Sequence, residues 1–218
     1  MIEDCDAYVK YPQHRKWFNK LWLSETLGYK CGPAGTDIPE DGMYVIRPIY
    51  NLAGMGACAE VKELKKNDYR STPPGYFWCE YFKGKHYSAE YKWVYDRDHI
   101  DGSWNNPWRG ISCWVGTNMP LNLTKFVHWK RSDYIPQVPN DLVELKDVEH
   151  INVEFVGDKV IEVHLRKTPD PDYDEFIPVW KSDEGKVAHY LMHEYKFIEA
   201  FDDANGYIKD PRIGFLVK

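Results

Sequence analysis

The sequence lacks paired cysteines. Its five, Cys5, Cys31, Cys58, Cys79 and Cys113, are odd in number, widely spread and without C-x-x-C spacing. That argues against a disulfide framework or a cysteine-zinc motif and fits reduced thiols in a cytosolic compartment. No apolar run approaches the roughly 20 residues that span a bilayer, and the opening MIEDCDAYVKYP is too polar for a signal peptide. The expectation is a cytoplasmic protein without membrane contact. Basic runs are missing too: the net charge is −6 and the Lys/Arg clusters are short. A generic nucleic-acid binder is therefore not expected, and any phosphate contacts must be local. Internal repeats, heptads, a Ser-His-Asp elbow and a cysteine-nucleophile signature are likewise absent.

Aromatic residues, by contrast, are abundant at 16%, nine of them Trp, and 43% of the chain is hydrophobic. With 218 residues it can bury a core as one domain or two closely packed subdomains. Trp17, Phe18, Leu21, Trp22 and Leu27 at helical spacing predict a helix over 14 to 27, ended by Gly28. MYVIRPIY reads as a strand interrupted by Arg47, and NLAGMGACAEV as a small-residue turn. VKEL begins as a helical turn before Pro73-Pro74, the expected hinge between subdomains 1–74 and 75–218. YFWCEYF and HYSAEYKWVYD read as a hairpin about Lys83-Gly84-Lys85. Near the C-terminus DEGKVAHYLMHEYKFIEAF predicts a helix capped by Asp183, with Leu191, Tyr195 and Ile198 inward. Without a regular βαβ alternation, the class is α+β.

HINVEFVGDKVIEVHLR, residues 150 to 166, carries its apolar residues Ile151, Val153, Phe155, Ile161, Val163 and Leu165 at odd numbers. Asn152, Glu154, Glu162, His164 and Arg166 are even. Two strands with coincident apolar faces require paired numbers differing by an even amount, which selects a three-residue loop Gly157-Asp158-Lys159 with Val156 opposite Val160. Glu154 then faces Glu162 and Asn152 faces His164. Carboxylates roughly 5 Å apart repel by about 3 kcal/mol at an effective dielectric near 20. Arg166 or a divalent cation is expected to compensate, Mg²⁺ being suited to carboxylates plus substrate phosphates.

Arg47 on an apolar strand needs an anionic partner. Seven residues on, GMGA supplies backbone N–H groups that can approach phosphate oxygens. A strand-borne cation, a Gly-rich turn and a carboxylate hairpin, in that order, resemble the ATP-grasp family over residues 14 to 166. FNKLWLSETLGYKCGPAG resembles the segment whose Lys lies near the ATP phosphates, implying Lys20. YVIRPIYNLAGMGA resembles the phosphate-binding strand and flexible loop, implying Arg47, Gly54, Met55 and Gly56. FWCEYFKGKHYSAEY resembles the hinge strand beside adenine and ribose, implying Glu80, Tyr81, Phe82, Lys83 and His86. NVEFVGDKVIEVHLR resembles the metal hairpin, implying Glu154, Glu162 and His164 as metal ligands and Arg166, with Arg47, as the catalytic phosphate cations.

The resemblance implies an ATP-grasp fold of two α+β subdomains gripping a nucleotide cleft. Only residues 1 to 13 precede the first matching segment, so no separate N-terminal substrate domain is expected, as in the compact ATP-grasp proteins sometimes found in bacteriophages, where the compartment would be the host cytoplasm. The implied activity is an ATP-dependent carboxylate-amine, or carboxylate-nucleophile, ligase working through an acyl phosphate, with Mg²⁺ or Mn²⁺ and an amine or peptide acceptor. Three positions depart from the family's usual residues: Arg47 replaces Lys, His86 replaces Glu and His164 replaces Asn. An imidazole suits a transition metal better than Mg²⁺. Two alternatives stand beside this reading: a non-catalytic nucleotide- or partner-binding relative, and an aromatic-rich glycan-binding or virion structural module. Trp104, Trp108 and Trp114 read as core or as a stacking platform. Asp170 to Glu175 read as a solvated loop or a site for a cationic amine acceptor, and His189 and His193 as a solvent-facing pair rather than zinc ligands.

Overall fold

The computed structural model describes residues 3–52, 56, 58–94, 106–118, 121–123, 125–200 and 210–218. Helix α1 is Asp4–Lys10 and α2 is Lys20–Thr26, with a 3₁₀ turn Pro12–Phe18 between them. The single helix expected over 14 to 27 is thus divided at Asn19, whose backbone is extended and whose side chain accepts a hydrogen bond from the Trp22 N–H at 2.9 Å. A cap of this kind satisfies an orphan helix donor and ends the preceding turn.

The first sheet contains β1 (Cys31–Pro33), β2 (Gly42–Pro48), β3 (Glu60–Leu64) and β4 (Tyr76–Glu80) in the order β1-β4-β2-β3. VKEL is therefore strand, not helical turn: Val61 pairs with Val45 and Leu64 is buried, so cross-strand packing overrides local propensity. The second sheet contains β5 (His86–Trp93), β6 (Trp108–Asn118), β7 (Phe126–Arg131), β8 (His150–Val156), β9 (Lys159–His164), β10 (Glu175–Trp180), β11 (Lys196–Glu199) and β12 (Arg212–Val217). Its order is β11-β12-β10-β7-β6-β5-β8-β9, and all pairings described are antiparallel.

β4 and β5 do not pair as the expected hairpin. β4 is flanked by β1 and β2, and β5 by β6 and β8, so neither has an edge left for the other. The chain crosses between sheets at residues 81–85, and Pro73-Pro74 instead makes the turn into β4, with the Tyr76 N–H donating to the Pro73 carbonyl at 3.0 Å. The C-terminal helix is also corrected. A 3₁₀ turn Lys181–Lys186 leads into a five-residue α3, Val187–Leu191, and Glu194 enters the left-handed region (φ 67°) before β11. The open edge of β12 recruits Lys196–Glu199 as a strand. Leu191 is exposed, Asp183 pairs with Lys186, and Ile198 packs on the Trp129–Phe176–Phe215 cluster.

The β8–β9 turn has two residues, Gly157-Asp158, because Val156 pairs with Lys159. A bulge at Ile161 restores the even spacing, with Phe155 opposite Val160 and Glu154 opposite Glu162. An extra residue in one strand does what a longer loop was expected to do. It also exchanges two side chains: Val160 enters the core and Ile161 leaves it. That core joins Ile151, Val153, Phe155, Val163 and Leu165 to Trp17, Phe18, Leu23, Leu142 and Leu145. Each fully buried Leu or Phe there contributes about 1.5–3 kcal/mol.

The crossing segment is pinned to this hairpin. The Gly157 N–H donates to the Lys85 carbonyl at 2.8 Å. Gly84 has φ 150°, and a methyl group added at its Cα would meet the Gly157 nitrogen at 2.8 Å. Gly84→Ala should therefore cost about 1–3 kcal/mol through strain and backbone collision. Urea unfolding measures this; a change under about 0.5 kcal/mol would show that the crossing segment is not pinned to the hairpin here.

Candidate functional site

The face of β5, β8 and β9 opposite the core carries the polar residues. Alternation and register set Ser88, Glu154 and Glu162 in one cross-strand row and Glu90, Asn152 and His164 in the next. This face closes a cavity of about 250 Å³ whose other wall comes from β2, β4 and the crossing segment. Lys20, Arg47, Gly56, Glu80, Tyr81, Phe82, His86, Glu154, Glu162, His164 and Arg166 all line it. Lys83 does not, and Gly54 and Met55 lie outside the described residues.

Each side chain is placed by its element. The backbone N–H of Lys20, at the start of α2, donates to the Ile49 carbonyl just after β2, carrying its ammonium to Glu162 as a buried ion pair. Arg47 lies over the Phe77 ring at 5.2 Å, and its Nη2 donates to the Ile161 carbonyl at 3.2 Å, although 114 residues separate them. Its Nε is buried without a hydrogen-bond partner. At the end of β4, Glu80 accepts from the Lys30 N–H at 2.8 Å, while on the crossing segment the Tyr81 N–H donates to the Met43 carbonyl. His86 Nε2 lies 3.1 Å from Glu154 Oε2, with its ring edge-on to Phe126 and Trp129.

The repulsion expected between Glu154 and Glu162 is compensated by Lys20 and the two imidazoles. Arg166 is turned elsewhere. Its Nε lies 2.8 Å from Asp4 Oδ1, an ionic contact out of line for a hydrogen bond, and its Nη1 donates to the Lys167 carbonyl at 3.1 Å. Asp4 is the residue that sequence reasoning missed. Its two oxygens lie 3.0 and 2.8 Å from His164 Nδ1, and its partners stand about 160 positions away, so no local pattern could show it. The only signal was the requirement of buried Arg166 for an anion. Thr168, Asp170 and Arg212 also reach the cavity, with Arg212 Nη1 donating to Asp170 Oδ1 at 2.8 Å.

Burial pushes the Asp4 carboxyl up, but the His164 and Arg166 charges reverse this and hold it at about 2. Burial pushes His164 down, yet Asp4 and Glu162 raise it to about 10. Glu154 is held well below the usual range because His164 and His86 outweigh its desolvation. Glu90, whose Oε1 accepts from the Thr168 N–H, is pushed up by burial.

Other candidates fall away from the cavity or into structural roles. Trp108 and Trp114 are buried, their indole N–H groups donating to the Leu142 and Tyr173 carbonyls at 2.8 Å; Trp104 lies outside the described residues. Asp172 and Asp174 pair with Arg131. His189 and His193 face each other with ring centroids 4.8 Å apart. Among the described residues no helix is long and apolar enough to cross a membrane, and all five cysteines are free thiols.

N5-Carboxyaminoimidazole synthetase from Staphylococcus aureus, in complex with ADP, matches 92% of this chain and 66% of its own with a TM-score of 0.54 and 10% identity. The chain has the ATP-grasp fold. L-amino acid ligase from Bacillus licheniformis is less similar, with a TM-score of 0.42 and 10% identity over 83% of this chain and 44% of that one. An Archaeoglobus fulgidus protein assigned to the ATP-grasp superfamily gives 0.41 and 15% over 70% and 46%. The chain thus spans about half to two thirds of the length of these structures. No protein-family model matches the sequence, and a search of curated proteins returned no match.

Within this ATP-grasp fold, the donor set fits a divalent cation. Asp4, Glu162 and His164 each offer a ligand atom within 4.8 Å of the others, and Glu154 lies beside them. The orphaned Nε of Arg47 fits an anion.

Asp4→Asn should destabilise the protein by about 3 kcal/mol at pH 7, since it leaves buried cations uncompensated. The Asp4–His164 attraction, counted once, is full between the ordinary carboxylate value of 3.8 and the ordinary imidazole value of 6.5. It is lost as pH falls through about 2, and as pH rises through about 10. The gap between wild type and variant should therefore shrink toward alkaline pH, a trend that urea unfolding at neutral and alkaline pH measures. A pH-independent gap would contradict the pairing.

Proposed function

We propose that this chain is an ATP-dependent ligase that activates a carboxylate for attack by an amine or similar nucleophile. The observation that carries the reading is the convergence of Arg47, with its unpartnered Nε, and the Glu154–Glu162 pair on one cavity between two sheets. Lys20, Arg47, Arg166 and Gly56 hold the phosphates, and Glu80, Tyr81 and Phe82 receive the adenine and ribose. The ADP bound by the S. aureus synthetase of the same fold supports a nucleotide in this cleft.

Glu154 and Glu162 would hold Mg²⁺ or Mn²⁺, which when bound neutralises charge on the transferring phosphoryl group. A substrate carboxylate oxygen attacks the γ-phosphorus, the bond to the β,γ-bridging oxygen breaks, and ADP leaves. The amine nitrogen then attacks the acyl phosphate carbon, phosphate departs and the amine proton passes to solvent. Lys20 and Arg166 are already paired with Glu162 and Asp4, so nucleotide takes these cations as a metal takes the carboxylates. Each ligand should strengthen the other.

A non-catalytic, nucleotide-binding relative is the second reading, favoured by His86 and Lys20 already lying against the two metal carboxylates. Of the three tryptophans on which the glycan or virion module drew, Trp108 and Trp114 are buried. Thermal shift with ATP, the divalent cation, or both tests binding; ADP release with amino acids and peptides separates ligase from relative. Glu162→Gln should abolish cation-dependent turnover. It should also lower ligand-free stability by about 1–3 kcal/mol, because Lys20 loses its anion; relief of carboxylate repulsion would give the opposite sign. No nucleotide-dependent stabilisation in wild type with either cation would overturn the proposal.

A further inference from the structure

His164 is a buried nitrogen donor beside two carboxylates, and its surroundings give that nitrogen a direction. Resting on the reading of Glu154 and Glu162 as cation ligands, we propose that Asp4 and His164 form a carboxylate–imidazole pair that presents Nε2 as a nitrogen ligand to the cation, favouring a first-row transition ion, with Mn²⁺ as its paramagnetic probe, over Mg²⁺. The ring is buried and held at Nδ1 by both Asp4 oxygens, which fixes a proton on Nδ1 and aims Nε2 at the two glutamates. Nε2 lies 3.7 Å from Glu154 Oε1 and 3.9 Å from Glu162 Oε1. Both separations are too long for hydrogen bonds. They fall between the spans of cis and trans ligands on one ion, about 3.0 and 4.2 Å for metal–ligand bonds near 2.1 Å.

Arg166 against the same Asp4 keeps that carboxylate anionic while it holds the ring. When the cation binds, the proton on Nε2 leaves to solvent and Nδ1–H stays on Asp4. First-row transition ions, Mn²⁺ least and later ones more strongly, accept a nitrogen ligand more readily than Mg²⁺, which favours an all-oxygen octahedron. Asp4 is thus a positioning residue, its effect passing through the imidazole.

The test is pulsed electron paramagnetic resonance on the full chain loaded with Mn²⁺ alone, together with Mn²⁺ and Mg²⁺ titrations by calorimetry. Wild type should show ¹⁴N coupling from a directly bound imidazole. In His164→Asn the coupling should vanish while Mn²⁺ still binds, and the Mn²⁺/Mg²⁺ affinity ratio should fall at least about tenfold. Asp4→Ala should weaken Mn²⁺ by about 10–100-fold. Asp4→Asn, which keeps an acceptor oxygen for Nδ1–H, should lose less and serves if the alanine variant does not fold. Bound Mn²⁺ without ¹⁴N coupling, or an unchanged ratio in His164→Asn, overturns the inference. If ATP with Mg²⁺ still stabilises that protein, the proposed function stands without it; loss of both removes the two together.

Discussion

The constraint on which the site depends is charge balance in a small space. Asp4, Glu154 and Glu162 bring three carboxylates to the cavity face of β8 and β9, and Lys20, His164 and Arg166 answer with three cations. None of the cations is more than 8% exposed at its side chain. An isolated charge so placed costs several kcal/mol of desolvation, and only close pairing repays it. The pairs therefore determine where α1 and α2 dock: Asp4 begins one helix and Lys20 the other. Remove either charge and the helix loses its electrostatic reason for lying against β9.

The backbone makes this balance possible by keeping two chemistries on opposite sides of one thin sheet. Odd residues of β8 face Trp17, Leu23 and Leu142, and even residues face the cavity. A register slip of one residue would drive Glu154 into the core and Phe155 into the ligand space. The bulge at Ile161 protects that register across a two-residue turn. It also turns the Ile161 carbonyl to Arg47, so the irregularity in one sheet becomes the contact with the other.

Legibility in the sequence followed the range of the responsible interaction. Period-two alternation and a Gly-Asp turn are local, so the hairpin, its facing glutamates and the strand bearing Arg47 could be read directly. The α+β class came from the mixed elements, and the ATP-grasp fold with the convergence of Lys20, Arg47 and Glu162 came through resemblance of ordered segments. What failed depended on distant partners. KELKK has good helix propensity, but β2 offered it an edge; the segment around Lys196 looked amphipathic, but β12 claimed it. Asp4 looked like an ordinary first-turn acid because its partners, His164 and Arg166, lie at the far end of the chain order. The loop length was inferred from parity alone, and parity does not distinguish one more loop residue from one more strand residue.

Neutrality within the ligand-free site has a consequence for how ligands enter. A divalent cation arriving alone would meet Glu162 already paired with Lys20, and a polyphosphate arriving alone would meet Arg166 already paired with Asp4. Either one breaks an internal pair and strands its partner in a low-dielectric wall. On the proposed function, the two arriving together would let the phosphates take Lys20 while the cation takes Glu162, so that each freed charge finds an opposite one. The cost of opening the pairs would then be shared by two binding events, a coupling free energy between cation and nucleotide that follows from the proposed function. Arg47 differs from the other cations in this respect. Its Nε has no internal hydrogen-bond partner to surrender, so it is the cation best placed to make the first contact with an incoming anion before the carboxylate pairs rearrange.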